Sequence, residues 1–290
     1  MLLGVPNFSE GRSSHAIAAI ADAFTSSGAD RLDRHSDPIH NRTVLTLSAS
    51  GAGLVEALVA GAGACLRHID MTLHDGAHPC VGALDVCPVV WVGERDRARA
   101  RELALEAAIE ISDQGVPVFL YGELASDERR RERGHFRRGG LAELTERMRS
   151  GELRPDFGPP EPHPTGGATL VTARQPLAAF NLVLDTDDVE VARAVAAGLR
   201  EAGGGLGGVR AVGIDLDGRA QVSANIHDPV AVPLSLVIER VRGLAAEHGA
   251  RPVEGEVVGL LPEAALRDLP ADVPLAGFDP DRGVIERRFA

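Results

Sequence analysis

The order of the apolar segments in the second half of the chain constrains its fold most strongly. Segments with the two-residue period of strands alternate there with segments that have the period of helices. The predicted elements are, in order, a strand at 178–185, a helix at 189–202, strands at 209–215 and 220–226, a helix at 233–248, a strand at 256–260 and a short helix at 263–268. The dipeptide Asp217-Gly218 between the middle strands is typical of a hairpin turn. The order β-α-β-β-α-β predicts a ferredoxin-like fold, in which helices cover one face of an antiparallel sheet.

The first half is compatible with an embellished version of the same fold. Its predicted elements are strands at 2–6, 43–48, 86–91 and 116–121, helices at 13–26, 54–69 and 95–114, and a basic helical run at 127–150. Within it, acidic residues are interleaved with the arginines of residues 129–133, so we interpret that stretch as a solvated helix face rather than a nucleic-acid patch. We therefore predict an α+β protein with two ferredoxin-like subdomains, at residues 1–177 and 178–290.

Two segments rich in glycine or proline interrupt this pattern. Residues 155–167 contain too many prolines and glycines for a helix or a central strand. This segment is either a plain linker between the two halves or an ordered ligand loop, and the composition favours neither alternative. The glycine-rich residues 203–208 predict a flexible connection.

Charge and composition exclude several classes of function. The net charge is −12, and every basic side chain is an arginine because the sequence contains no lysine. Mechanisms that need a Schiff-base or phosphate-loop lysine are therefore excluded, and an acidic chain is a poor match for nucleic acid. No apolar run is long enough to span a membrane. Three cysteines fit a reducing compartment, so we expect a cytoplasmic protein. From the charge and the short apolar runs, we expect no nucleic-acid or membrane partner.

A histidine-containing segment at residues 74–80 is the first candidate site. Its glycines and proline predict a loop, and loops on rigid scaffolds often carry catalytic side chains. Histidine is the natural acid–base group near neutral pH, which makes His78 a candidate for proton transfer. The rival hypothesis is a metal site, since His74 and His78 are four residues apart and two cysteines are near. Gly76 and Pro79 interrupt any helix there, so we favour acid–base chemistry.

Residues 35–43 form a second polar segment, which we interpret as a loop that enters a strand. A turn built on Asp37-Pro38 accounts for those two residues, but it does not account for His40, Asn41 and Arg42. The planar fork of Arg42 suits a carboxylate ligand. We therefore favour a functional role slightly over turn chemistry for this segment.

At these positions the sequence resembles the formiminotransferase family. This family includes the transferase domain of formimidoyltransferase-cyclodeaminase and free-standing bacterial glutamate formimidoyltransferases. The resemblance follows the chain in order over its full length. The matching stretches are residues 5–11, 41–44, 69–71, 78–79, 82–88, 121–123, 155–159, 167–169, 173–174, 179–181, 258–260 and 278–280.

The resemblance implies a fold, a reaction and a set of site residues. The fold would be two ferredoxin-like subdomains packed around a ligand tunnel, in a homodimer. The reaction would transfer a formimino group from N-formimidoyl-L-glutamate to N5 of the co-substrate tetrahydrofolate, in histidine degradation. His78 matches the catalytic histidine of the family, and no metal is implied. The folate-contacting segment matches Gly158, Pro159, Pro160, Glu161, Pro162, His163, Pro164, Thr165, Gly166 and Gly167, and the candidate substrate-binding residues are His35, Asn41, Arg42, Tyr121 and Arg174.

Two of these candidates have their own alternatives. Tyr121, the only tyrosine, either donates a hydrogen bond to a substrate or is a half-buried core aromatic, and the sequence leaves the two even. Arg174 follows the proline-rich segment and would pair with an acidic ligand. Both substrates carry carboxylates, so an acidic protein needs such local arginines.

Two positions differ from the family's pattern. The family typically has an arginine two residues after the catalytic histidine, where this chain has Cys80. It usually has a tryptophan before Gly167, where this chain has Gly166. Loss of a charged hydrogen bond at a buried site costs about 2–4 kcal/mol, by analogy with lost oxyanion donors. The alternative function is therefore a folate-binding homologue in which one-carbon transfer is lost or altered.

Overall fold

The chain folds around two separate sheets in the computed structural model, which describes residues 1–288. Residues Met1–Arg174 form the first unit, and the second unit begins at Gln175, whereas the boundary expected from the sequence follows residue 177. Each unit has its own hydrophobic core. The predicted α+β class is confirmed.

The sheet of the first unit has the predicted ferredoxin-like order with additions. Its strands are β1 (Leu2–Gly4), β2 (Asn7–Phe8), β3 (Asp30–Asp37), β4 (Arg42–Ser48), β5 (Leu84–Trp91), β6 (Val118–Leu120) and β7 (Thr169–Arg174), and its helices are α1 (Ser14–Thr25), α2 (Gly51–His68), α3 (Arg97–Ser112), α4 (Arg133–Arg137) and α5 (Gly140–Arg149). Both β1 and β2 pair with β4 and β5, so they are two parts of one interrupted strand. Strands β1 to β5 with α1 and α2 thus follow the order β-α-β-β-α-β. Strand β7 extends the sheet parallel to β5, and β6 lies parallel to β7 at the edge.

The second unit is a ferredoxin-like fold, as predicted. Its elements are β8 (Ala178–Leu184), α6 (Val189–Leu199), β9 (Val209–Asp215), β10 (Ala220–Ile226), α7 (Leu234–Ala246), β11 (Pro252–Val258) and α8 (Pro280–Gly283). The strand order is β11-β8-β10-β9, with every pair antiparallel. The hairpin between β9 and β10 turns at Asp217 and Gly218, whose φ angles of 51° and 81° suit a tight primed turn.

Strand β5 lies at the centre of the first unit and is buried along its whole length. Its Cys87, Val89 and Trp91 face a core that includes side chains of α1, α2 and α3. Val86 belongs to a second core, which includes Phe119 and Phe136 from β6 and α4. Because both faces of the sheet are covered here, β5 is almost entirely apolar. Each large apolar side chain buried in this way contributes about 1.5–3 kcal/mol.

Strand β3 was not predicted. We expected residues 35–43 to be a loop, but Asp30–Asp37 pairs with β4 and places His35 opposite Val44. This strand is at the sheet edge and is half-buried or exposed along its length. An edge strand that buries neither face lacks the apolar alternation on which the prediction depends.

The basic run at 127–150 is not one helix. It divides into a short 3-10 helix (Glu128–Arg131), α4 and α5, and the break falls where Gly139 and Gly140 have positive φ angles of 65° and 68°. The interpretation of residues 129–133 as a solvated face is wrong for Arg130. The side chain of Arg130 is 12% exposed beside Asp156, and that of Arg147 is 5% exposed beside Glu152. Charge interleaving on the sequence does not show which arginine side chains are buried.

The two punctuating segments are ordered. Residues 155–167 lie within the first unit, because β7 follows them in the same sheet, so the linker alternative is wrong. Asp156 and Phe157 bond to Val118 of β6, which fixes the start of this loop. Residues 203–208 form a hydrogen-bonded turn rather than a flexible connection, since Leu206 N donates to Leu199 O at 2.9 Å.

Close packing of α1 on α2 gives a stability prediction. A Cβ on Gly61 of α2 would lie 2.1 Å from the Phe24 ring of α1, whereas a Cβ on Gly63 would meet only the ends of the Gln114 and Arg67 side chains at 3.0 Å or more. We expect Gly61→Ala to lower the free energy of unfolding by about 1–3 kcal/mol through overpacking. The matched variant Gly63→Ala should be neutral or stabilise by up to about 1 kcal/mol. Chemical denaturation of both variants measures the difference, and equal stabilities would contradict the packing.

Candidate active site

The turn between β3 and β4 joins three segments of the first unit. Asn41 has a positive φ of 47°, which asparagine tolerates better than most residues. Its Oδ1 accepts a hydrogen bond from Gly11 N at 2.9 Å, and its Nδ2 donates to Asp75 O at 2.9 Å. A Cβ on Gly76 would lie 2.5 Å from His40 O, so glycine allows the 74–80 loop to pack on this turn. Asn41 is thus fully engaged with backbone groups and positions its neighbour, Arg42.

Asp37 organises the same turn. One carboxylate oxygen accepts from the backbone nitrogens of Ile39 and His40 at 2.8 and 2.9 Å, and the other binds His40 Nδ1. Burial raises the pKa of Asp37, but the hydrogen bonds with His40 outweigh this and hold the pKa at about 2. Turn chemistry therefore accounts for His40 in part. Its Nε2 is buried without a hydrogen-bond partner among residues 1–288, and its ring lies edge-on to His78 at 6.2 Å between centroids.

His78 is held by Arg42. Arg42 Nη1 lies 2.9 Å from His78 Nε2. Because a guanidinium only donates hydrogen bonds, Nε2 accepts, and the imidazole is neutral with its proton on Nδ1. Nδ1 is itself buried, with no hydrogen-bond partner in the described part of the chain. Burial lowers the pKa of His78 well below the usual 6.5, and the positive charges of neighbouring arginines lower it further.

A buried ion pair lies beside this histidine. The Asp85 side chain at the start of β5 is 2% exposed and binds Arg137 of α4, and its other oxygen accepts from Val81 N at 2.8 Å. Asp85 thereby fixes both α4 and the end of the loop that carries His78. Burial raises the pKa of the nearby Cys80 thiol to about 11, and the charge of Asp85 contributes. Position 80 is therefore neutral at physiological pH.

Tyr121 and Arg174 lie at the ends of β6 and β7. The Tyr121 side chain packs with Phe119 and Phe136 in the core and is 7% exposed, which fits the core-aromatic alternative for its ring. Burial lowers the pKa of Arg174 to about 10, Tyr121 opposes this shift, and the charge of Arg133 adds to it. Arg133 also lowers the pKa of His78, so its charge acts on both groups of candidate residues.

The 155–167 loop is hydrogen-bonded to residues on both sides of the His78 segment. Thr165 O accepts from Met71 N at 2.7 Å, and Gly166 O accepts from Ala83 N at 2.8 Å. Within the loop, His163 Nδ1 accepts from Gly166 N at 2.9 Å. A Cβ on Gly167 would lie 2.2 Å from Val81 O, so backbone packing already requires that glycine. The predicted folate segment and the predicted catalytic loop therefore share one framework.

The structure brings together most of the candidates. Arg42 contacts His78, and Asn41 links the β3–β4 turn to the loop that carries His78. The charge of Arg133 acts on His78 and on Arg174. His35 is on β3, two residues before Asp37 and on the same face of the strand. Sequence analysis assigned no role to Asp85, Arg133 or Arg137. The available signal was the four-residue spacing of the two arginines, which places them on one helix face.

Residues 1–288 contain no group of three or more His, Cys, Asp or Glu side chains arranged to bind a metal ion. No helix among them is both long and apolar enough to cross a membrane. The three cysteines are free thiols.

Two models of known protein families match most of this chain. The N-terminal subdomain of the formiminotransferase domain matches residues 1–174, and the formiminotransferase domain model that follows matches residues 179–271. The chain belongs to the formiminotransferase family. The first matched region of this family ends at the same residue as the first structural unit.

Several relatives of this formiminotransferase-family chain are similar over most of its length. The glutamate formimidoyltransferase of Streptococcus pyogenes serotype M1 is 36% identical over 91% of this chain and 90% of its own length. That of Thermoplasma acidophilum is 35% identical over 98% of this chain and 96% of its own. The formimidoyltransferase-cyclodeaminase of Sus scrofa is 38% identical over 92% of this chain but only 51% of its own length. The chain thus spans about half of the two-function relative and nearly all of the single-function ones.

Proposed function

We propose that this chain is a glutamate formimidoyltransferase, which moves the formimino group of N-formimidoyl-L-glutamate to tetrahydrofolate in histidine degradation. The names of the relatives that match it along most of their length support this. The structural observation that carries it is the neutral His78 imidazole held by Arg42. We place the protein in the cytoplasm, which accords with its three free thiols, and we take it to be a homodimer by analogy with the family.

The proton balance of the transfer defines the task of His78. The attacking secondary amine loses one proton and the departing glutamate nitrogen gains one, so a single group can accept and return it. A histidine with a lowered pKa is in its neutral, accepting form at physiological pH. Its Nε2 is available once Arg42 donates to a substrate carboxylate instead. Arg42 therefore serves both as a substrate-binding group and as the residue that orients the imidazole.

Tetrahydrofolate would supply the attacking N5 as the second substrate. The residues that we propose to hold it are Gly158, Pro159, Pro160, Glu161, Pro162, His163, Pro164, Thr165, Gly166 and Gly167. Their loop is fixed to Met71 and Ala83 on either side of the His78 segment, which supports a ligand position next to the imidazole. Arg174 and Tyr121 are the proposed polar contacts beyond it, with His35 and Asn41 near the β3–β4 turn.

The alternative of a folate-binding protein without turnover rested on Cys80. The charges of Arg133 and Arg137 leave the surroundings of His78 cationic without an arginine at that position. An assay of the purified chain with N-formimidoyl-L-glutamate and tetrahydrofolate distinguishes the two. We expect turnover that requires both substrates. Calorimetric binding of tetrahydrofolate without turnover would favour the alternative, and absence of folate binding would contradict both.

The pH dependence of kcat/KM gives a prediction from the shifted pKa of His78. The neutral imidazole accepts the proton, so activity is lost only when pH falls through the pKa of His78 in the free enzyme. Because burial and neighbouring arginines lower that pKa, the acidic limb should fall at an apparent pKa below the ordinary 6.5. Initial rates from about pH 5 to pH 8 measure it. An acidic limb above 6.5 would contradict the neutral-base assignment.

A further inference from the structure

The arginines around His78 outnumber the acids that neutralise them. The positive charges of Arg42, Arg137 and Arg133 all act on the imidazole. Arg137 is bound by the buried Asp85, and Arg42 donates to His78. The guanidinium of Arg133 has no hydrogen bond or ion pair with any residue in the described range 1–288. One cation of this cluster is therefore uncommitted.

Arg133 is partly shielded from water at the start of α4. It is the first residue of α4, one helical turn before Arg137, and is half-buried. Burial lowers its pKa, and the charge of Arg137 lowers it further, while Tyr121, Asp85 and Glu132 act in the opposite direction. A half-buried guanidinium without a hydrogen bond or ion pair to a carboxylate of residues 1–288 remains open to an anionic ligand. The planar guanidinium is suited to bind both oxygens of a carboxylate.

The position of Arg133 matches a substrate carboxylate near the reacting group. Its charge lowers the pKa of Arg42 and also that of Arg174, so it is within electrostatic reach of both groups of candidate residues. The same cluster surrounds Cys80, because the charges of Arg42 and Arg137 act on that thiol. The thiol is neutral at the position where the family pattern has arginine. Arg133 keeps a third guanidinium in the cluster without one at position 80.

We propose that Arg133 binds a carboxylate of the substrate and supplies, from α4, the guanidinium that position 80 lacks. This inference rests on the proposed function, because N-formimidoyl-L-glutamate is the dicarboxylate that the site would accept. It makes Arg133 a residue that determines substrate affinity rather than one that transfers a proton.

The test compares Arg133→Gln with a control from the same segment. We expect Arg133→Gln to raise the KM for N-formimidoyl-L-glutamate by about tenfold to a hundredfold, the range for a lost hydrogen bond between charged groups, with a smaller change in kcat. Arg133→Lys keeps the charge but loses the planar guanidinium, so its KM should lie between those of the native protein and Arg133→Gln. Arg131→Gln, at an exposed arginine that pairs with Glu128 at 3.6 Å, should leave both constants unchanged.

Two further readouts separate binding from a structural role. Arg133→Gln removes one of the cations that lower the pKa of His78, so the acidic limb of kcat/KM should move to higher pH, whereas Arg131→Gln should not move it. The groups facing His78 that remain in place are Arg42 and His40 from the β3–β4 turn and Arg137 from α4. Adding Cys80→Arg to Arg133→Gln should recover most of the lost affinity. Cys80→Arg in the native background should give no comparable gain.

The outcomes for Arg133 and for the proposed function are distinguishable. Absence of turnover by the unsubstituted protein counts against the proposed function. Calorimetric titration with N-formimidoyl-L-glutamate then tests Arg133 on its own, since the native protein should bind this compound more tightly than Arg133→Gln. Equal affinities, or no binding by either protein, would overturn the assignment of Arg133. If Cys80→Arg changed the substrate affinity equally in the native protein and in Arg133→Gln, the proposal that Arg133 replaces an arginine at position 80 would be overturned.

Discussion

Replacing His78 by alanine should lower kcat for formimidoyl transfer by about 10²–10⁴-fold, the usual contribution of a positioned acid–base group. The physical reason is that the attacking amine loses one proton and the leaving amine gains one, and His78 is the neutral imidazole beside the proposed substrate-binding arginines. Steady-state kinetics with N-formimidoyl-L-glutamate and tetrahydrofolate measure the loss. Binding of either substrate should change much less than kcat.

The glutamine variant separates proton transfer from packing. His78→Gln retains an oxygen that can accept the Arg42 hydrogen bond, so its fold should resemble that of the native protein while its activity matches His78→Ala. His68→Ala is the matched control, because His68 is exposed at the end of α2 in the same unit. Turnover by His78→Ala within about threefold of the native rate would refute the assignment, since general acid–base catalysis supplies far more.

Replacing Asp85 by asparagine should lower the free energy of unfolding by about 3–5 kcal/mol, because it leaves the charge of Arg137 buried without a counterion. The pair is well shielded, with side-chain exposures of 2% for Asp85 and 11% for Arg137. Asparagine retains an oxygen that can accept from Val81 N, so the loss measures the charge rather than the backbone hydrogen bond. Urea denaturation followed by circular dichroism gives the value.

Two comparisons make this stability prediction specific. Glu146→Gln breaks an exposed pair with Arg149, whose side chains are 68% and 66% exposed, and should cost at most about 1 kcal/mol. Adding Arg137→Met to Asp85→Asn removes the orphaned charge and should recover part of the stability. If Asp85→Asn unfolds at the same denaturant concentration as Glu146→Gln, the buried pair does not stabilise the site. Activity should fall with either Asp85 variant, since Asp85 also fixes the loop after His78.

The second unit shows how far apolar periodicity reaches. Strands β9 and β10 have the predicted bounds, and the Asp217-Gly218 turn has the positive φ angles that its residue types favour. Helices α6 and α7 each bury one apolar face in the core of this unit, so period and burial agree. The same rule failed at β3, where an edge strand buries neither face and its polar sequence reads as a loop. The spacing of apolar residues reflects which side chains are buried. It therefore predicts a helix or strand only where one of its faces is buried.

The candidate site divides in a similar way. His78 and Arg42 were identified from residue type and from family motifs, and the structure places them 2.9 Å apart. The turn at Asp37 was predicted, but the role of Asn41 was not, because its hydrogen bonds with Gly11 and Asp75 depend on segments distant in sequence. Arg133 belongs to a run that was interpreted as solvated, and Arg137 was given no role, since alternating charges look the same whether a helix faces water or a buried acid.

The sequence by itself determined the α+β class, the order of elements in the second unit, the family and the histidine at the centre of the proposed chemistry. These follow from short-range patterns and from motifs that keep their spacing along the chain. Only the tertiary structure decided which nitrogen of His78 accepts, which arginines surround it and which of them lacks a partner. The physical reason is that charge and hydrogen-bond states depend on neighbours and burial. Both are set when β4, β5 and α4, far apart in sequence, come together in one unit.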